Sequence, residues 1–376
     1  MLHVARALRL CVVAALCAGA AAAASGSAAK ANPPPPHVLL PSGAFHVGSV
    51  ARQVPDPSRH VPTMIQLFYP TSASAGAAAS YMPKKTADLA AQQLKQPAAL
   101  VESIVTGAFA AAKPAPGKRP VILFSPGLQE LRSDDTALGE DLASHGFIVV
   151  SIDHPFDSAI VQLSDGRIIP SRFHDSSNAR RSTELRAAAV RARMGDIRAV
   201  LHALPAINAK GLLERRLNLS EIGMYGFSLG GAATAEAMRD FTQIRAGVDL
   251  DGSLYGKSLS VTLNRPFLFL ARDNHTNASD PSWASDWKTL KGFRRQIHVV
   301  GAGHGDFTDA ASFLHQLNPQ ATDPTGYYGP IDPDHAATAT RLALAAFFKR
   351  FLIGDSAGTQ VLDHPQAINP DLQLLR

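Results

Sequence analysis

Short apolar stretches alternate with longer amphipathic stretches through most of this 376-residue chain. The short stretches are rich in β-branched and aromatic residues and are typical of buried strands. The longer ones, such as 182–204, repeat apolar residues at the three- and four-residue spacing of one helix face. Strands that alternate with helices predict a mostly parallel sheet with helices on both faces. The chain is therefore predicted to be an α/β protein.

The two kinds of segment can be assigned along the chain. The predicted strands are 63–70, 121–125, 147–152, 221–226, 245–251, 266–271 and 296–300. The predicted helices include 133–146, 182–204, 229–241 and 333–354. For the first of these helices, Ser133 is the expected N-cap and Gly146 the expected stop.

The first residues have the pattern of a secretory signal peptide. A basic start with Arg6 and Arg9 precedes an apolar run from Leu10 to Ala24 that ends in small residues. This run is shorter than the roughly 18 residues that a membrane span requires. We therefore expect residues 1–24 to be removed, leaving a secreted or periplasmic chain without a transmembrane span. Both cysteines lie in this segment, so no disulfide or cysteine-bound metal is expected.

After the signal, a proline-rich linker at 25–37 is expected to lead into one folded domain, residues 38–376. Within it, 86–112 is expected to be a helical addition, broken at Pro97. Its apolar side chains either form the wall of an acyl pocket, make transient contact with a lipid surface, or only cover the sheet. These side chains are Leu100, Val101, Ile104, Val105 and Phe109.

The charge balance argues against a polyanionic partner. The formal net charge is +5 (36 − 31), and about +3 (34 − 31) without Arg6 and Arg9. The densest basic segment, 179–193, has its arginines at helical spacing, which is typical of a solvated helix face. No nucleic-acid partner is expected.

One serine lies between glycines, directly after a predicted strand and before a predicted helix. Gly226-Phe227-Ser228-Leu229-Gly230 fits G-x-S-x-G, the nucleophile elbow of α/β-hydrolases. Side chains at the two glycine positions would crowd the adjoining strand and helix. A dinucleotide-binding loop is the alternative, but the glycine spacing does not fit G-x-G-x-x-G. The pattern predicts an α/β-hydrolase fold with Ser228 as nucleophile.

A serine nucleophile needs a base, and His304 lies in a glycine-lined loop just after a predicted strand. Loops at the carboxyl ends of strands carry the chemistry of α/β sheets. His298 lies within the strand region and is expected to be packed. Three aspartates near strand ends could orient the base, and each keeps the order Ser, Asp, His. Composition does not choose among Asp249, Asp251 and Asp273.

An oxyanion hole needs two N–H donors. The N–H of Leu229, which follows the nucleophile, is one candidate, and the N–H of Leu128 in the loop after an early strand is the other. An ordinary Pro-Gly turn is the alternative for that loop. His154 follows a strand as well, and a supporting structural role near the site is expected for it.

Several stretches resemble the platelet-activating-factor acetylhydrolase family, in its secreted and type II form with bacterial members. They are 124–154, 226–233, 248–256, 301–309 and 326–352. The resemblance implies an α/β-hydrolase in which Ser228, Asp251 and His304 are the nucleophile, acid and base. It also implies Leu128 and Leu229 as oxyanion donors. One departure is visible, because the family often has histidine where this chain has Pro126.

The motifs predict a serine esterase that needs no metal or organic cofactor. The resemblance implies short acyl esters as substrates, including 1-alkyl-2-acetylglycerophosphocholine-type phospholipids. An extracellular lipase or cutinase-like polyester hydrolase is the first alternative, and a non-catalytic binding protein on the same fold is the second.

Overall fold

The structure, a computed structural model, describes residues 34–57, 59–94, 97–320 and 323–376. The expected signal peptide, residues 1–24, and most of the expected linker lie outside these described residues. None of the helices within these ranges has the length and apolar character that a membrane crossing requires.

The described residues form a ten-stranded sheet and a separate two-stranded hairpin. The strands are β1 (His46–Val54), β2 (Thr63–Thr71), β3 (Ala108–Ala110), β4 (Arg119–Ser125), β5 (Ile148–Ile152), β6 (Ile160–Gln162), β7 (Ile168–Pro170), β8 (Leu217–Phe227), β9 (Ile244–Leu250), β10 (Phe267–Arg272), β11 (Arg294–Val299) and β12 (Leu372–Leu374). The order in the large sheet is β12-β11-β10-β9-β8-β4-β5-β2-β1-β3, and β6 pairs with β7.

The central strands, from β11 through β5 in that order, run parallel to one another. β2 pairs antiparallel with β5, and β12 pairs antiparallel with β11. The predicted mostly parallel sheet is therefore confirmed. The sequence pattern did not indicate β1 or the two edge strands, β3 and β12.

The α-helices of the described residues cover both faces of the sheet. They are α1 (Lys84–Leu94), α2 (Ala98–Glu102), α3 (Thr136–Ser144), α4 (Ala179–Ala209), α5 (Leu229–Asp240), α6 (Pro281–Thr289), α7 (Asp309–Leu317), α8 (Pro333–Ile353), α9 (Gly358–Asp363) and α10 (Pro365–Ile368). Apolar residues of α4 and α5 pack in one large core cluster, whereas those of α3 and α8 pack in another with the opposite face of the strands. Because the central strands are parallel, their carboxyl ends lie at one edge of the sheet, between these two helical layers.

The expected helical addition at 86–112 is only partly right. α1 and α2 lie in this region, but the chain beyond them is not helical, and β3 pairs in parallel with β1. The Ala79 N–H donates to Ala108 O at 2.9 Å, and the Ala110 N–H donates to Ala77 O at 2.7 Å. These partners are distant along the chain, so the local helical pattern is overridden by pairing at the sheet edge.

Helix α3 begins at Thr136, three residues after the expected cap at Ser133. The Thr136 N–H donates at 2.8 Å to the carboxylate of Asp309, which also accepts from Ala137 at 3.2 Å. A carboxylate from the far end of the chain thus satisfies the free N–H groups at the start of this helix. A cap of this kind has no signal in the local sequence.

The expectation of a solvated arginine face in 179–193 is wrong for one residue. Arg180, Arg181 and Arg191 are exposed on α4, but Arg193 is fully buried. Its Nε lies 2.8 Å from an Oδ2 atom of Asp157. A buried arginine is tolerated only when its charge and its N–H groups find partners, and Asp157 supplies the charge.

Candidate active site

The turn from β8 to α5 has the geometry of a nucleophile elbow. Ser228 has φ 54° and ψ −117°, a strained conformation for a residue with a side chain. A Cβ added at Gly226 would lie 2.1 Å from Gly230 O, and one added at Gly230 would lie 1.8 Å from Ser125 O. Only glycine therefore fits on either side of the serine, as the sequence pattern predicts.

His304 reaches the serine from the loop after β11. Its Nε2 atom lies 3.0 Å from Ser228 Oγ, and its ring packs 4.8 Å from the ring of Phe227, measured between centroids. The 3₁₀ helix His304–Phe307 is held by the neighbouring loop, because the Gly305 N–H donates to Tyr327 O at 2.7 Å. The imidazole is thus positioned for proton exchange with the hydroxyl.

Of the three candidate acids, only Asp251 reaches the base, through a hydrogen bond between His304 Nδ1 and Asp251 Oδ2. Asp249 is buried deeper and accepts instead from the Gly252 N–H at 2.9 Å. Asp273 accepts from the Gly301 N–H at 2.8 Å and so stabilises the turn that precedes the histidine. Asp251 therefore occupies the position of a triad acid.

The expected oxyanion donors border the same opening. Ser228, His304, Leu128 and Leu229 all line a cleft of about 430 Å³. Much of the remaining wall is polar or charged: Arg186, Ser253, Tyr255, Arg272, Asn274 and Ser279. The cleft is large enough for a small ligand, and its polar lining favours a ligand that carries polar groups of its own.

Comparison with known proteins gives a consistent result. The family model described as platelet-activating factor acetylhydrolase, isoform II, matches residues 36–357. The chain belongs to this family. A probable 1-alkyl-2-acetylglycerophosphocholine esterase of Arthroderma benhamiae is 27% identical over 52% of this chain and 50% of its own length. The platelet-activating factor acetylhydrolase of Cavia porcellus is 26% identical over 62% of this chain and 58% of its own.

A solved structure extends the likeness to nearly the whole fold. The ferulic acid esterase from Streptomyces cinnamoneus has a TM-score of 0.78 and 31% identity, and covers 91% of this chain and 99% of its own. The predicted α/β-hydrolase fold and the resemblance to the acetylhydrolase family are therefore confirmed. The matches to the first two relatives span only about half to three-fifths of their lengths.

This member of the acetylhydrolase family has a further histidine at the site that sequence reasoning missed. His275 is buried, its Nδ1 lies 2.7 Å from Asp251 Oδ1, and its Nε2 lies 2.9 Å from Asp280 Oδ2. Its ring stacks on Trp283 with 4.0 Å between centroids. Arg272, the last residue of β10, lines the cleft and also donates to Asp251. No local motif marks these residues, because both contact Asp251, which lies more than 20 residues away in the chain after another strand.

These contacts determine the protonation states of Asp251 and His275. Burial alone would raise the pKa of Asp251, but hydrogen bonds from His275 and His304 outweigh it and hold that pKa below its ordinary value. Burial would also lower the pKa of His275, yet its bonds to Asp251 and Asp280 raise that pKa to about 9. Near neutral pH, His275 is thus an imidazolium that holds Asp251 as a carboxylate.

We therefore expect the free energy of unfolding to fall at alkaline pH, because His275 then loses its proton. Because the pKa of His275 in the folded state, about 9, exceeds its ordinary 6.5, its contribution is complete below pH 6.5 and is lost as the pH rises to 9. The expected slope from this group is at most about 1.4 kcal/mol per pH unit. Urea unfolding of wild type and His275→Gln from pH 6 to pH 10 measures it.

The free energies of unfolding of wild type and His275→Gln should differ most at pH 6 and become equal by pH 9 to 10. His202→Gln, which alters an exposed histidine of α4, is the matched control and should follow wild type throughout. A difference between wild type and His275→Gln that stays constant with pH would mean that His275 is neutral in the folded chain.

The apolar residues of the 86–112 region do not border the cleft. Val101 and Ile104 are buried in a separate cluster with Tyr81 and Phe313. The cleft that contains Ser228 is lined by residues of other segments. The members of this cluster lie on helices and loops, so Val101 and Ile104 form neither the wall of the cleft nor a cover of the sheet.

Proposed function

We propose that this chain is a serine hydrolase of carboxylic esters, with Ser228 as nucleophile, His304 as base and Asp251 as orienting acid. One observation carries the proposal: a hydrogen-bonded chain runs from Ser228 Oγ through His304 to Asp251, and the serine lies on a strained turn at the cleft. The names of the relatives, esterase and acetylhydrolase, support the same reaction class.

In the acylation step, Ser228 Oγ attacks the carbonyl carbon of the ester while its proton moves to His304 Nε2, 3.0 Å away. Asp251 accepts the Nδ1–H of His304 and stabilises the imidazolium. The imidazolium gives its proton to the alcohol oxygen as the ester C–O bond breaks, which leaves an acyl-serine. Water, deprotonated by His304, then attacks the acyl-serine and releases the acid.

The negative charge on the former carbonyl oxygen needs donors that are already in place. Leu229 is the first residue of α5, where N–H groups have no partner within the helix. Leu128 lines the same cleft, in the loop after β4. Both N–H groups are therefore proposed as the oxyanion hole.

The proposed substrates are small esters with a short or polar acyl group. A cleft of about 430 Å³ with two arginines in its wall suits a compact, polar molecule better than a long alkyl chain. Acetyl esters of the 1-alkyl-2-acetylglycerophosphocholine type fit this description through their short acyl group. Esters of ferulic acid are the second candidate, because the esterase from Streptomyces cinnamoneus shares the fold over 99% of its chain.

The same polar lining argues against a lipase or cutinase-like polyester hydrolase, since those substrates need a long apolar surface. A non-catalytic binding protein would not need Ser228 in a strained conformation beside a histidine. Reaction with a fluorophosphonate probe separates this last alternative directly. A binding protein would leave the probe unreacted, whereas a serine hydrolase would be labelled at Ser228.

The test is hydrolysis of p-nitrophenyl esters from acetate to palmitate, together with ethyl ferulate and 1-alkyl-2-acetylglycerophosphocholine, by residues 25–376. We expect kcat/KM for acetate to exceed that for palmitate by at least about 10²-fold, because the polar lining of the cleft gives the added methylenes of a long acyl chain little apolar surface to contact. A preference for palmitate or for polyester film would instead identify a lipase or cutinase-like enzyme. The Ser228→Ala variant shows which activity belongs to the site.

Export is a separate part of the proposal and rests on the sequence of residues 1–24 alone. The basic start and the alanine-rich apolar run support removal of this segment and a secreted or periplasmic location. The mass of the protein recovered outside the cytoplasm should correspond to a chain that begins at Ser25. Recovery of the full-length mass from the cytoplasm would contradict it.

A further inference from the structure

The buried side chain of Arg193, in α4, contacts the loop that follows β4. Its side chain is fully buried, and its Nε pairs with Asp157 at 2.8 Å. Its two terminal nitrogens donate to backbone carbonyls, Nη1 to Pro126 O at 2.5 Å and Nη2 to Gly127 O at 2.9 Å. One planar guanidinium therefore holds two consecutive peptide groups of this loop.

The second of these peptide groups contains the Leu128 N–H. In a trans peptide the C=O and the following N–H point in opposite directions within one plane. Because Arg193 holds Gly127 O on the buried side, the Leu128 N–H points the opposite way, and Leu128 lines the cleft beside Ser228. The contact thus sets the direction of one proposed oxyanion donor.

The N–H groups on either side of Leu128 also have hydrogen-bond partners within the protein. The Gly127 N–H donates to Glu130 Oε2 at 2.7 Å, and the Gln129 N–H donates to Asp157 Oδ1 at 3.2 Å. Of the N–H groups from Gly127 to Arg132, only that of Leu128 has no hydrogen bond to a protein group. A donor left free between two fixed neighbours is what binding of an incoming oxyanion requires.

Ser125, which precedes the loop, continues the same support. Its Oγ lies 3.2 Å from Arg193 Nη1 and 2.8 Å from His154 Nε2, and His154 Nδ1 lies 2.8 Å from Asp196 Oδ2. His154 is fully buried, and burial lowers its pKa well below the ordinary value. It is therefore a neutral support for Ser125 and has no access to substrate.

We propose that Arg193 is a positioning residue of the esterase reaction, which acts by aiming the Leu128 N–H at the developing oxyanion. The inference rests on the proposed function, because it assigns a role within the same reaction. Lysine could keep the charge beside Asp157, but a single ammonium cannot donate to both carbonyls from one plane. Arg193→Lys therefore removes the forked contact and keeps the ion pair.

The test compares the kinetics of wild type, Arg193→Lys and Arg239→Lys on p-nitrophenyl acetate. Arg239 is the matched control, because its side chain is also fully buried, pairs with Asp286 and donates to the backbone carbonyl of Ala235, away from the cleft lining. For Arg193→Lys we expect kcat to fall about 10²-fold with KM within about twofold, as for loss of one oxyanion donor. Arg239→Lys should lower the melting temperature but keep the wild-type kcat.

A second readout is the inhibition constant of an aryl trifluoromethyl ketone, which forms a tetrahedral adduct with the serine. It should rise for Arg193→Lys by the same factor by which kcat/KM falls, because the adduct and the transition state use the same N–H donors. A merely structural role would lower the active fraction without changing this constant. Proportional changes in both values support the proposal.

The proposal is overturned if folded Arg193→Lys keeps kcat within about threefold of wild type, or if the inhibition constant does not change. Should Arg193→Lys fail to fold, the double variant Arg193→Met/Asp157→Asn removes the buried pair without leaving one charge alone, and the same expectations apply to it. Failure of the proposed function has a different signature, since wild type would then hydrolyse none of the esters. Wild-type turnover that is lost in Ser228→Ala establishes the reaction before Arg193 is judged.

Discussion

Replacing Ser228 with alanine should lower kcat for p-nitrophenyl acetate by on the order of 10⁶-fold, as removal of a triad serine does elsewhere. The hydroxyl that lies 3.0 Å from His304 Nε2 is the only proposed nucleophile, and without it no acyl-serine can form. Steady-state hydrolysis and fluorophosphonate labelling measure the loss together. Labelling should disappear completely, whereas a small residual rate from the cleft and its oxyanion donors should remain.

Ser253→Ala provides the control for this variant. Ser253 lines the same cleft, but its Oγ donates to Asp280 at 2.6 Å rather than to His304. The identical substitution there should change kcat less than tenfold and leave labelling intact. If Ser228→Ala kept its activity while Ser253→Ala lost it, the nucleophile would have been assigned to the wrong serine.

Replacing Asp251 with asparagine should lower kcat by about 10⁴-fold, the loss known for removing the charge of a triad aspartate. An amide cannot stabilise the imidazolium of His304, and it favours the wrong tautomer of the ring. It would also leave His275 and Arg272, which both donate to Asp251, without their carboxylate. The variant should therefore lose stability as well as activity, so kcat is measured below its melting temperature.

Asp273→Asn is the matched control, because Asp273 also follows a central strand and its contact is to the Gly301 N–H. An amide oxygen can still accept that hydrogen bond, and the expected change in kcat is less than tenfold. Equal losses in the two variants would show that the orienting charge is shared. A loss confined to Asp273→Asn would place the acid after β10 instead of after β9.

The site could be predicted from the sequence where its signal is local. Gly226 and Gly230 have no room for a side chain, and this restriction is visible as a motif between a strand and a helix. The position of His304 after a strand is likewise a local pattern. Asp251 could not be separated from Asp249 and Asp273 from the residues alone, because the choice depends on which carboxylate meets a ring 53 residues away in the chain.

Several features of the fold were predicted wrongly or not at all for a related reason. The 86–112 region has a helical pattern, yet β3 forms there because a distant strand offers hydrogen bonds. Helix α3 takes its cap from Asp309, and Arg193 is buried because Asp157 and two carbonyls surround it. In each case a partner remote in sequence outweighs the local preference.

The sequence by itself determined the alternation of strands and helices, the strained turn at Ser228 and the resemblance to the acetylhydrolase family. These features follow from periodicity and from sterics between neighbours in the chain. Only the tertiary structure decided which acid meets His304, that His275 holds that acid, and that Arg193 holds the loop of Leu128. Such contacts join strand ends and helices that the chain brings together only on folding, so their energies depend on distances that no local pattern contains.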